Sequence, residues 1–382
     1  MDKFKLDINA VKPPVLLNPG PVNVTPRVRD ALLRGDLCHR EVEFSNLMGG
    51  IREKLLEVFD IEDEYTSVLV SGSGTAALEM GVSSCLSPGK SILIIQNGVY
   101  GERIAKIAGI YQFPKHVLNY EWGEPPCMDD IENVLKEHPD IEVIAFVHHE
   151  TTTGLLNPLS AVSKLARKYE KKLLVDCISS LAGDAVDFSS CPVDFAIGTA
   201  NKCIQGLPGV AFILFRKKDL CRLKNIPARS LYFNLMETHR AQESGDTLFT
   251  PAIQIHYALD EALDELMEET VTGRIQRYKK AADLFRQGFS EMGLQFLIPE
   301  GHRSNCLTAL HLPEGVDYSD LHAQLKSQGF VIYAGQGDLQ NKIFRIANMG
   351  DLKTEDIQTC LRVLKGILLR KNSMRREIHG TL

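Results

Sequence analysis

"TSVLVSGSGTAALEMGVSSCL", residues 66–86, changes its pattern twice. Residues 66–70 read as a strand rich in β-branched and apolar residues, 71–74 as a Gly–Ser loop, and 75–86 carry small and apolar residues at helical spacing. A largely apolar strand that turns through glycine into a helix is the repeating unit of a parallel sheet covered on both faces. The same alternation recurs outward from this stretch. A helix is expected upstream at roughly 45–59, with Leu47, Ile51, Leu55 and Val58 on one face. Downstream, "SILIIQ" (91–96), "IEVIAFVHH" (141–149), "KKLLVDC" (171–177), "DFAIGTA" (194–200) and "GVAFILF" (209–215) read as strands. Helices are expected near 101–109 and 159–170, and 216–285 reads as mainly helical. A second unit follows: strands at 306–312, 330–335 and 342–348, a helix at 318–328 and a closing helix from 353. The expected architecture is therefore α/β. A large, mostly parallel-sheet domain covered by helices spans 26–285, and a smaller C-terminal α/β domain spans 286–382. Residues 1–25 form an N-terminal segment that Pro19 and Pro21 keep extended and turn-rich.

The chain has 382 residues, 44% of them hydrophobic, and a formal charge of −6. That balance argues against nucleic acid or an anionic membrane as a partner. No apolar run approaches the ~20 residues of a membrane span. "MDKFKLDINAVKPP" lacks the apolar stretch of a signal peptide, and "HGTL" is no recognised address. The nine cysteines are scattered, with no CxxC pair. They read as reduced thiols in a cytoplasmic protein.

In open α/β sheets, ligands sit beyond the carboxyl ends of the strands. Four stretches fall there. "SGSGT" (71–75) offers Ser73 and Thr75 hydroxyls and the amides around Gly74 at a helix start, which suits an anion, though such a turn also occurs without a ligand. "HHETTTG" (148–154) offers three threonines, or an ST-turn that satisfies its own backbone. His148 and His149 point to opposite faces of a strand, so one metal cannot take both, and no metal is expected. Asp176 closes the strand Leu173–Val175, where a carboxylate wants a cation or caps a helix. Lys202, in "GTANKCIQGLPGV" (198–210), sits among small residues before a turn at Gly206 and Gly209. A group with a phosphate, a basic ring nitrogen and an aldehyde would join all four, and pyridoxal 5′-phosphate has each. A nucleotide-binding α/β protein is the rival, but neither GKS/T nor GxGxxG follows the first strand.

The order of these elements resembles the class V group of the fold-type I pyridoxal phosphate-dependent aminotransferases. The carrying motifs are "LLNPGPVNVT" (16–25), "YTSVLVSGSGTAALE" (65–79), "QNGVYGER" (96–103), "HHETTTGLLNP" (148–158), "VDCISSLAG" (175–183), "ANKCIQGLPGVAF" (200–212) and "FRIANMG" (344–350). The resemblance implies that Lys202 condenses with the cofactor and moves a substrate proton, and that Asp176 pairs with the ring nitrogen. Ser73, Gly74 and Thr75 would cradle the phosphate, Tyr100 would stack on the ring, and Thr152 would meet its phenolic oxygen. Thr250, in "LFTPA", would reach a partner's phosphate in a homodimer with shared active sites. Arg345 would fix a substrate acid group, and residues 1–25 would lie on the active-site side of the small domain. "ETTTG" with "ANKCIQG" is similar to the branch that exchanges an amino group between 2-aminoethylphosphonate and pyruvate. Alanine–glyoxylate, serine–pyruvate and phosphonopyruvate aminotransferases on the same scaffold are the alternatives. "CHREVEF" (38–44) departs from the branch, which carries a Trp and acidic residues there. Arg40 therefore either adds charge at the site mouth or is a surface arginine.

Overall fold

The computed structural model describes residues 13–379, with side chains up to Arg370. Residues 1–12, on which most of the leader reading rests, and 380–382 of "HGTL" lie outside the described residues. A seven-stranded sheet runs in the order 65–72, 209–216, 195–199, 172–176, 141–147, 91–96 and 115–119. Strand 209–216 is antiparallel to both neighbours, and every other pairing is parallel. The expected mostly parallel sheet is thus found.

Period two explains why these strands are apolar throughout. Leu69, Leu93, Ile95, Ile144, Phe146, Leu173, Val175 and Phe212 face one core. Their neighbours Val68, Val70, Ile92, Ile94, Val143, Ala145, Leu174 and Ile213 face the other. Strand Lys115–Asn119 is different: its residues alternate between exposed and half-buried, as befits a sheet edge. That polar alternation hid it from the sequence reading, which also passed over helix Met128–Glu137, where only Ile131 and Leu135 are buried.

A separate antiparallel sheet orders 307–311, 343–347 and 333–334. The single strand expected at 330–335 is two. Phe330–Val331 pairs in parallel with Val15–Leu16, and Tyr333–Ala334 turns to strand 343–347. Ile332 between them is fully buried beside Leu17, Phe285, Phe289 and Phe344. Helix Val271–Glu291 runs unbroken through position 285, and its Tyr278 and Phe289 belong to different cores. Segment 216–285 is helical at 220–223, 235–243 and from 253 onward, with loops between.

Parallel register sets the functional edge. Val147 pairs with Asp176, and Asp176 with Ile197. Gly72 at the end of one strand faces Gly209 at the start of its antiparallel neighbour. The loops carrying Ser73, Tyr100, Thr152, Asp176 and Lys202 therefore all leave the sheet at one edge.

Candidate active site

Lys202 leaves strand 195–199 on a short turn that closes with the Gly206 amide on the Ala200 carbonyl. Its ammonium donates to the Pro19 carbonyl. Gly20, at φ +110°, lies so close that a Cβ there would sit 2.8 Å from the Lys202 nitrogen. Only glycine meets both demands. Burial pushes Lys202 down to about 8; Asp176 works against this, while Arg345 and Arg103 add to it. An amine in that range serves as nucleophile and base near neutral pH.

Asp176 is buried, and one oxygen accepts from the Ile178 amide at 2.9 Å. Burial raises its carboxyl to about 6, with Arg103 and Lys202 pulling the other way. Helix Gly74–Cys85 begins beside it, and the Ser73 hydroxyl makes no capping bond to the first turn. Arg103 donates to the Thr75 hydroxyl at 3.1 Å and lies 4.7 Å over the Tyr100 ring. A cation, a free helix start and an aromatic plane are thereby assembled on one side of the crevice.

Glu150 anchors the threonine loop. It is fully buried, accepts from the Thr152 hydroxyl at 2.6 Å and from the Gly101 amide at 3.2 Å, and burial raises it to about 7. The Val99 amide donates to Thr152 Oγ1 at 3.1 Å. The Thr152 proton is thus committed to Glu150, and the loop is locked onto the helix that carries Tyr100.

Arg345 comes from the second sheet, where it pairs with Ala309 and Tyr333. It is only 2% exposed. Nε donates to the Ala334 carbonyl at 2.8 Å and Nη1 to the Thr151 carbonyl at 2.7 Å. Two carbonyls thus set the plane of the guanidinium, whose charge is felt by Tyr100, Tyr318, Glu150 and Lys202.

The other two expected residues stand apart. Arg40 has 62% of its side chain exposed and lies 3.6 Å from Asp246. Thr250 is exposed in the loop 244–252, whose Ala252 amide is held by Ser71 Oγ at 3.1 Å. Neither touches the Lys202–Asp176 group within the described chain. Conversely, Gly20, Arg103 and Glu150 were not singled out from sequence, and Pro19 was marked only as a residue that excludes helix. Arg103 was findable: it lies one helical turn after Tyr100.

Residues 30–349 match the aminotransferase class-V family, and the chain belongs to it. The 2-aminoethylphosphonate–pyruvate transaminase of Vibrio cholerae serotype O1 (strain ATCC 39541) is 36% identical over 357 residues, covering 92% of this chain and 96% of that one. The enzyme of the same name from Bacillus cereus (strain AH820) is 36% identical over 361 residues, covering 93% and 98%. Among solved structures, the alanine–glyoxylate aminotransferase of Nostoc sp. superposes with a TM-score of 0.89 at 27% identity, covering 95% and 97%. Pyridoxamine–pyruvate aminotransferase of Mesorhizobium loti gives 0.88 at 26%, covering 95% and 93%.

The family's cofactor is pyridoxal phosphate, and the residues fit it. Asp176 is a buried carboxylate in want of a cation, Lys202 an amine held near neutral pH, and the Ser73–Thr75 turn an anion cradle with Arg103 behind it. When bound, the cofactor supplies an aldehyde for the amine and a ring that accepts an electron pair. With that group in place, Asp176 would be the residue to keep a proton on the ring nitrogen, Lys202 Nζ the base to take a proton from the substrate carbon and return it, and Arg345 the cation to hold the substrate's acid group so that the carbon–hydrogen bond is aligned.

Proposed function

We propose that the chain transfers the amino group of 2-aminoethylphosphonate to pyruvate, giving phosphonoacetaldehyde and L-alanine, in either direction. The observation that carries this reading is 36% identity, along 92% of the chain, to a transaminase of that name. Arg345 supports it, because a fork-shaped donor accepts phosphonate and carboxylate alike. A substrate panel decides. 2-Aminoethylphosphonate with pyruvate is expected to turn over fastest among pairings that include alanine with glyoxylate and serine with pyruvate. Faster turnover of alanine with glyoxylate would favour the second reading, which the Nostoc structure suggests.

Arg345→Ala is expected to lower kcat/KM by roughly 30- to 4000-fold, the ~2–5 kcal/mol lost with one member of a buried charged pair. Arg345→Lys recovers only part, because an ammonium lacks the planar fork. Single-turnover assays of each half-reaction test whether Arg345 serves both substrates. An intact 2-aminoethylphosphonate half-reaction would move the phosphonate elsewhere, with Arg40 the next residue to change.

The functional unit in this reading is a cytoplasmic homodimer in which Thr250 completes the partner's phosphate site. Its support is an exposed apolar surface beside Thr250: Leu231 is 85% exposed, and Tyr232 and Phe249 stack at 4.7 Å. None of the nine cysteines is joined in a disulfide, which suits a reducing compartment. Among the described residues, no helix is long and apolar enough to cross a membrane. Light scattering at assay concentration is expected to give twice the chain mass, and a fully active monomer would refute the shared site. The same reading places the division between the two domains near residue 285.

A further inference from the structure

Beside the Lys202 turn, three metal-ligating side chains meet in the dry interior, and a fourth, Cys203, stands next to one of them. His149, Asp184 and Cys306 bring their ligand atoms within 4.8 Å of one another, and all three residues are buried. The Cys203 sulfur lies 3.6 Å from that of Cys306. A tetrahedral zinc with arms of ~2.3 Å to sulfur sets its two sulfurs roughly 3.8 Å apart. Gly183 leaves room for the pair: a Cβ there would sit 2.4 Å from the Cys306 sulfur and 2.6 Å from that of Cys203.

A second, independent observation points to an ion. His149 Nδ1 lies 3.1 Å from the Ser179 carbonyl, which can only accept, so Nδ1 carries the proton. Nε2 is then a bare lone pair. It is fully buried and has no hydrogen-bond partner. A backbone carbonyl on one ring nitrogen and a free lone pair on the other is the arrangement that orients a metal-binding histidine. Asp184 is held likewise, by the Ser304 hydroxyl at 2.6 Å and the Asn305 amide at 2.8 Å. Charge also balances. Two thiolates and a carboxylate need a divalent cation plus one further positive charge. Arg286 supplies that charge, donating to the Ser304 carbonyl and Thr308 hydroxyl rather than to Asp184.

We propose that His149, Asp184, Cys306 and Cys203 form a structural zinc site that ties the lysine turn to the first strand of the small sheet. Thiolate, imidazole and carboxylate together suit zinc rather than magnesium or calcium. His148, at the bend between strands 141–147 and 149–150, is not in this group. A second group, His116, His138 and Asp140, lies nearer the surface and contains no sulfur, so it serves as a control.

The test uses the holoenzyme, made in zinc-supplemented culture and purified without chelator. Metal analysis and native mass spectrometry are expected to find about one zinc per chain, as a closed four-ligand site holds. Zinc retention should drop at least ~100-fold in Cys306→Ser and His149→Gln and stay unchanged in His138→Ala. Cobalt-grown wild-type enzyme should show tetrahedral ligand-field bands at wavelengths beyond the cofactor's absorption. That readout needs no variant and decides the matter should the substitutions fail to fold. Enzyme that holds neither ion, zinc that survives Cys306→Ser, or a Cys203–Cys306 disulfide in its place would each overturn the site.

Discussion

Lys202→Ala is expected to lower turnover by at least about 10⁴-fold, the upper end of what one positioned base supplies, since in the proposed role the same amine is also the nucleophile. The Ser73–Thr75 cradle and Asp176 remain, so the variant should still bind pyridoxal phosphate without a covalent link. Borohydride should fix the cofactor to Lys202 in the wild-type chain and leave it removable in the variant. An adduct mapped to another lysine would end the assignment. A pH dependence accompanies it. Burial holds Lys202 at about 8, and only the neutral amine attacks. The rate at which cofactor-free protein takes up pyridoxal phosphate should rise about tenfold per pH unit below 8 and flatten above it.

Asp176→Asn is expected to cost ~10²–10³-fold in kcat, the usual loss on removing one preorganised charge partner. Stability should move the other way. In the cofactor-free protein, burial raises the Asp176 carboxyl from 3.8 to about 6. A carboxyl raised on folding stabilises fully only below its unfolded pKa, and the benefit is gone once pH passes about 6. At pH 7 the folded chain therefore carries a buried charge with an unfavourable contribution of up to ~3 kcal/mol. The asparagine variant sheds it. Thermal unfolding without cofactor should give a higher Tm for the variant at pH 7, and the gap should close toward pH 4. An unchanged gap would mean that some other group carries the penalty.

The large sheet could be read from the sequence because both its faces are buried. Leu173–Val175 and Ile92–Ile95 must then be apolar without interruption, and that pattern stands out. Lys115–Asn119 could not be read so easily, since an edge strand needs apolar residues on few positions. The same contrast runs through the site. Lys202, Asp176 and the Ser73–Thr75 turn lie where a strand ends, so local sequence announces them. Pro19 and Glu150 act through partners far along the chain or through burial. Pro19 reaches Lys202 across 183 positions, and no local periodicity encodes that contact. Arg345 was visible only through resemblance. Its strand is ordinary, and its position over the site follows from how one sheet lies against the other.

The pairing of Val15–Leu16 with Phe330–Val331, continued by the Ala347 amide on the Leu17 carbonyl at 2.8 Å, has a consequence for biosynthesis. Residues near the start of the chain wait for a partner made more than 300 residues later. At ~5–20 residues per second, translation keeps Leu16 and Leu17 without their sheet for roughly 15–60 s. This two-stranded pairing cannot form on the ribosome from one stretch of message, because its first strand was made early and left behind. Nascent chains halted before residue 330 should accordingly hold the 13–17 segment open to protease while the seven-stranded sheet is already closed.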